Sequence, residues 1–163
     1  MADSRNENIR DWLRDAHALE EQGEKLFSGQ ADRLKDYPEL RAKLTAELNF
    51  FREFQKLLSI RIQQLGSGPS VIKDTVGKLL AGAQNFSGTV VSDEPVKGIL
   101  ALHTFNQFAI GSYKILISAT EASGDETTRQ LSQKILDHAE TRALWLDSEL
   151  DTVTRRFLVG QAA

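Results

Sequence analysis

The run PELRAKLTAELNFFREFQKLLSIRIQQLG, residues 38–66, decides the fold. Leu40, Leu44, Leu48, Phe51, Phe54, Leu58, Ile62 and Leu65 recur at steps of three and four residues, the period of an α-helix with one buried face. Pro38 stands where a first helical turn tolerates proline, because the missing N–H has no partner there anyway. Gly66-Ser67-Gly68-Pro69 stops the segment. Glu47 lies within the apolar stripe, between Leu44 and Phe51. A carboxylate on such a face costs free energy unless something compensates it, so the same stripe marks a core and a candidate site.

The helical period extends on both sides of this run. A first segment from about Asn8 to Phe27 carries Ile9, Trp12, Leu13, Ala16, Leu19 and Gly23 on one stripe, and SGQADRLKDYP (28–38) reads as a turn with a short helical piece. Asp36 is the expected N-cap of the second helix. A third segment, Glu94 to Ala122, runs through Ile99, Leu102, Ile110, Tyr113 and Ile117, with Ser92 or Asp93 as its cap ahead of Pro95. Gly124 makes a tight turn, and Asp125 caps a fourth segment extending to about Leu158 through Leu131, Ile135, Trp145, Leu146, Val153 and Phe157. Between the second and third, residues 70–85 read as a shorter amphipathic helix and NFSGTVVSDEP (85–95) as a loop; strand alternation is confined to Thr89–Val91.

Two helical hairpins joined by a connection of about 28 residues allow the second and third helices to run parallel, as in ferritin-like bundles with one long crossover. The expected fold is all-α: one domain over residues 1–163, a ferritin-like four-helix bundle whose crossover, about 66–94, carries a short extra helix.

Composition excludes several classes of function. The chain has 163 residues, enough for a core without covalent staples, and no cysteine, which removes disulfides, thiolate nucleophiles, iron–sulfur clusters and cysteine zinc sites. A net charge of −3 without a basic face argues against nucleic-acid binding. MADSRNENIRDW lacks the basic-then-apolar pattern of a signal peptide, and no apolar stretch approaches the roughly 18 residues of a membrane span. A cytoplasmic protein is expected. No nucleophile elbow places Ser, His and Asp together, and the glycines of VGKLLAGAQNFSG (76–88) lack the lysine and hydroxyl spacing of a phosphate loop.

Each stripe defines an inward direction, and polar residues lie along it. Glu20 sits between Ala16 and Gly23, and Glu47 in the second stripe. His103 and Asn106 lie two turns and one turn before Ile110, while His138 and Arg142 lie between Ile135 and Leu146. At ~1.5 Å rise per residue, the crossover topology sets Glu20, Glu47, His103, Asn106 and Arg142 at one depth, with His138 a turn further along. Arg142 supplies a positive charge and a fork of donors that compensate two buried carboxylates, where a di-iron protein uses metal ions. The expected structure is therefore a buried polar network of Glu20, Glu47, Asn106, Arg142 and His138 with no metal bound. The alternative is a metal held by Glu20, Glu47, His103 and His138, which Arg142 would repel. His17, spaced three residues from Glu20, lies at the rim of its stripe. Phe51 and Phe54 belong to the core, whereas Phe50, Phe105 and Phe108 lie off the inward stripe, under the crossover or at a homodimer interface. Trp12 and Trp145 are expected as core or boundary residues.

The segments DAHALEEQGEKLF (15–27), PELRAKLTAELNFFREFQKLLSIRIQQLG and FAIGSYKILISATEASGD (108–125) resemble the YciE/YciF family of bacterial ferritin-like proteins over roughly residues 8–158. Glu20 stands at that family's acidic position on the first helix, and Ile110, Ser112, Tyr113, Glu121 and Gly124 match elements of its third. Asn49, Phe50, Phe51 and Phe54 stand where the family has a Glu-Glu-Thr run and a polar ligand. Asn106, Gln107, Phe108 and Ala109 replace its Glu-His-Tyr-Glu run, and Asp137, His138 and Ala139 its glutamate cluster. The resemblance implies a ferritin-like bundle with a degenerate metal site and a stress-response setting. The favoured function is a non-catalytic bundle without a cofactor, acting through self-association or an unidentified partner. The alternatives are a metal-dependent oxidoreductase or storage protein for iron, manganese or zinc, and a small-molecule carrier using the Phe-rich interior.

Overall fold

The computed structural model describes residues 2–66 and 94–161. Among these residues four helices follow one another: α1 Ala2–Arg33, α2 Pro38–Gln64, α3 Glu94–Ser123 and α4 Glu126–Gln161. The expected crossover helix over 70–85 and the Thr89–Val91 alternation lie outside the described residues, as do the candidate caps Ser92 and Asp93.

Both ends of α2, the end of α3 and the start of α4 lie at the local breaking signals. Pro38 opens α2, and Gly66, at φ 74°, adopts the left-handed conformation that ends helices and that only glycine takes at little cost. Gly124, at φ 76°, makes the turn between α3 and α4 in the same way. Asp125 then caps α4: its Oδ1 accepts the Thr128 N–H at 3.1 Å and its Oδ2 the Thr128 hydroxyl at 2.5 Å.

Two expectations are corrected. The first helix does not end at Phe27 but continues through residues 28–33, despite the cost of about 1 kcal/mol that a glycine such as Gly29 carries inside a helix. Burial outweighs that cost, because Gln30, Ala31 and Leu34 all bury against the bundle. Asp36 does not cap α2: Tyr37 occupies the cap position and makes no side-chain cap bond. The Asp36 carbonyl instead accepts Arg156 Nη2 at 2.5 Å, and the same guanidinium lies 4.6 Å from the Tyr37 ring centre.

Side-chain bonds between helices give the topology. Glu24 accepts from Arg52 and Gln55, so α1 and α2 are antiparallel about the 34–37 turn. Arg61 near the end of α2 pairs with Asp125 at the start of α4, whereas Lys43 near its beginning pairs with Glu149. Arg33 at the end of α1 meets Glu94 at the start of α3. Hence α2 and α3 both oppose α4 and run parallel to each other across the bundle's diagonal, with Gly66 and Glu94 at opposite ends. This is the topology of two hairpins joined by one long connection.

The core runs the length of the bundle, through Leu13, Leu19, Phe27, Leu44, Phe51, Phe54, Leu58, Leu102 and Tyr113. Phe105 belongs to it, against expectation: it is buried edge-on against Phe27 and Phe51, with ring centres 6.3 and 6.4 Å apart. The buried line of α3 is Leu102, Phe105, Asn106, Ala109, Tyr113 and Leu116, rotated from the stripe through His103. Gly23 admits the Phe51 ring where any larger residue would place its Cβ, which lets α1 and α2 close on the aromatic cluster. Trp12 is exposed and Trp145 half-buried.

Candidate functional site

At mid-height the four helices bring together two carboxylates, a guanidinium, an amide, an imidazole and a phenol. Arg142, 2% exposed, projects from α4 into the centre. Its Nε donates to Glu47 Oε2 at 2.7 Å, and its Nη1 donates to Asn106 Oδ1 at 3.2 Å. Asn106 is fixed in turn, since its Nδ2 donates to the Ala139 carbonyl at 2.9 Å. Below the guanidinium lie two aromatic faces, with Phe51 and Phe27 ring centres at 4.2 and 5.3 Å. A cation over aromatic faces is attracted by their electron density, and more strongly when water is excluded.

Glu47 Oε2 has a second partner, His138 Nε2 at 3.0 Å. Although His138 enters α4 one turn before Arg142, its ring reaches back to the same oxygen. Burial pushes the Glu47 carboxyl up, but the His138 bond and the charge and bond of Arg142 outweigh it and hold it below its ordinary value. Glu47 is therefore ionised at neutral pH, and the Glu47–Arg142 pair is neutral as a unit.

Glu20 is held differently. Its Oε1 accepts the Tyr113 hydroxyl at 2.6 Å, while Oε2 is buried without a hydrogen-bond partner. Burial raises its pKa from 4.5 to about 7, offset in part by the Tyr113 bond and the Arg142 charge. Burial, followed by the charge of Glu20, pushes the Tyr113 phenol well above its ordinary range. Of two glutamates at one level, one is a firm carboxylate and the other sits at the edge of protonation.

The structure thus brings Glu20, Glu47, Asn106, Arg142 and His138 to one layer and leaves His103 outside it. His103 is partly exposed, with Nε2 3.6 Å from Asp147 Oδ1 at the α3–α4 surface. The rotation of α3 that buries Phe105 also turns His103 outward. His17 lies at the rim, 3.9 Å from Glu21. Sequence reasoning missed Tyr113 as the partner of Glu20. The available signal was a phenol on the inward stripe two turns after Asn106, since a buried tyrosine hydroxyl requires a hydrogen-bond partner. Among the described residues, no group of three or more His, Asp and Glu side chains is arranged to hold a metal ion.

The layer opens sideways through His138. A groove of about 730 Å³ runs between α2 and α4, with Phe50, Phe54 and His138 along its floor. The rings of Phe50 and His138 lie 4.0 Å apart at 32°.

A family model described as "Domain of unknown function (DUF892)" matches residues 4–159. Among solved structures, a protein from Xanthomonas campestris pv. campestris str. ATCC 33913 superposes with a TM-score of 0.83 at 22% identity, covering 98% of this chain and 99% of that one. The bacterioferritin of Desulfovibrio desulfuricans, described with a diiron site, superposes with a TM-score of 0.73 at 17% identity, covering 95% of this chain and 85% of that one. These likenesses make the fold ferritin-like.

Proposed function

The chain belongs to the DUF892 family of unknown function, and from that premise we propose that it is a non-catalytic, metal-independent ferritin-like bundle. In this reading Arg142 takes the place that metal ions hold in di-iron relatives of the fold, and the protein works through self-association or docking to a partner. The carrying observation is the bond from Arg142 Nε to Glu47 Oε2 at 2.7 Å, in the layer where the fold carries its metals.

The donor set supports this reading. Di-iron bundles place a Glu on two helices and a Glu-x-x-His pair on the other two. Here α1 presents Glu20, but the residue three after Glu47 is Phe50, α3 presents Asn106, and Ala139 with Arg142 occupies the fourth helix. Of the two carboxylates, Glu47 is bonded to a guanidinium and Glu20 is poised to be neutral. A dication would meet a fixed positive charge with too few anionic oxygens to offset it. The bacterial stress setting that the YciE/YciF resemblance implies, and the cytoplasmic location expected from the sequence, complete the proposal. No described helix is long and apolar enough to cross a membrane.

Elemental analysis tests this reading on protein purified without chelator from cells supplied with iron, manganese and zinc. The expected result is metal far below one ion per chain, unchanged in Glu20→Gln. A stoichiometric metal that Glu20→Gln abolishes would overturn the proposal in favour of a reorganised metal centre.

A further inference from the structure

The groove between α2 and α4 has the makings of a ligand site, one that rests on the metal-free reading because it uses Glu47 and His138. Its volume of about 730 Å³ lies in the range of small-molecule sites, roughly 300–1,000 Å³. Phe50, 39% exposed, and His138 give it an aromatic patch among charged and polar side chains. Phe54, buried, meets the His138 ring edge-on with centres 5.5 Å apart.

The two cations around the groove are already paired. Lys134 pairs with Glu53 at 2.7 Å, joining α4 to α2. Arg129 is held by Glu126 through two bonds of 2.6 and 2.7 Å, and Asp137 accepts from Gln133 at 2.7 Å. No lining cation therefore awaits a counter-charge, and the Asp137 carboxylate, bonded to a neutral amide, opposes an anion, so the groove suits an uncharged occupant better than an acidic one.

One polar ring in the lining, His138, is held from behind by the central layer. Glu47, ionised beside Arg142, can only accept, so His138 Nε2 must carry the proton of their bond. In the neutral tautomer Nδ1 is then the lone-pair nitrogen, the one acceptor of a ring that lines the groove. Glu47 fixes this tautomer much as a carboxylate behind a histidine does in other sites.

We propose that this groove binds a neutral, planar aromatic molecule carrying a hydrogen-bond donor, of the phenol class, with its ring against Phe50 and its donor on His138 Nδ1. Phe50 and His138 are binding residues, and Glu47 is a positioning residue acting through His138.

The test titrates the full chain with p-cresol, with toluene as the analogue lacking the donor and 4-methylbenzoate as the charged analogue, while NMR follows the His138 and Phe50 ring signals. Saturable p-cresol binding that shifts both rings is expected, with toluene roughly tenfold weaker, the worth of one hydrogen bond, and 4-methylbenzoate weaker still. His138→Phe keeps the aromatic floor and should reduce p-cresol to the affinity of toluene without changing that of toluene. Phe50→Ala should weaken both, and circular dichroism checks that each variant keeps its helices. Absence of saturable shifts at these rings, equal affinity for p-cresol and toluene, or an unchanged p-cresol affinity in His138→Phe would overturn the proposal. Preference for 4-methylbenzoate would overturn it too, by showing an anion site. Because Glu47 and His138 also belong to the alternative metal set, the titration is run on metal-free protein, where its failure is distinguishable from a positive elemental analysis.

Discussion

At the scale of the residue, the two buried glutamates give the protein opposite responses to pH. Glu47 has a lowered folded pKa, so the stability it contributes is present above its unfolded value and is lost as pH falls through the folded one. Glu20 has its pKa raised from 4.5 to about 7, so the folded state binds the extra proton and stability declines as pH rises through that window. The shift corresponds to roughly 3 kcal/mol. Urea unfolding at about pH 5 and about pH 8 should show this decline in the wild type, and Glu20→Gln should remove most of it, since the amide oxygen still accepts from Tyr113. Equal pH dependence in the two proteins would show that Glu20 titrates normally. The sequence placed Glu20 and Arg142 on inward stripes, but which carboxylate Arg142 grips depends on rotamers. The guanidinium lies over Phe51, beside α2, and there it meets Glu47 and not Glu20.

At the scale of the element, two aspartates with the same local signature behave differently. Asp36 and Asp125 each precede a helix, yet only Asp125 makes cap bonds, and it also accepts Arg61 Nη2 at 2.7 Å. Asp125→Ala is expected to cost about 1–2 kcal/mol in urea unfolding, with Asp36→Ala within about 0.5 kcal/mol of wild type. Equal losses would mean that neither residue's cap geometry matters. Helix existence and period were legible from the spacing of apolar residues, and both ends of α2, the end of α3 and the start of α4 from Pro38, Gly66, Gly124 and Asp125. The end of α1 was not, because residues 28–34 combine glycine and polar residues that read locally as a turn. What makes the segment helical is the burial of Gln30, Ala31 and Leu34 against elements distant in the chain.

At the scale of the whole molecule, α3 presents Leu100, Thr104, Gln107, Gly111 and Ile115 along one exposed stripe, with Leu100 48% and Ile115 59% exposed. These two exposed apolar side chains are the contacts on which the self-association proposed above is tested. Light scattering should find the wild type dimeric and the double variant Leu100→Glu, Ile115→Glu monomeric with unchanged helicity; a monomeric wild type would refute this. The sequence by itself determined four amphipathic helices, two hairpins and a connection long enough to make α2 and α3 parallel. It also determined that polar residues would meet near mid-height, because rise per residue converts sequence separation into depth. Only the tertiary structure decided the pairings: Arg142 and His138 on Glu47, Tyr113 on Glu20, Phe105 inside and His103 outside. Periodicity locates an inward face no more finely than the angular width of an apolar stripe. The rotation of each helix within that width is set by ridges packing into a neighbour's grooves at 8–10 Å separation, typical of helix pairs, and no single helix encodes it.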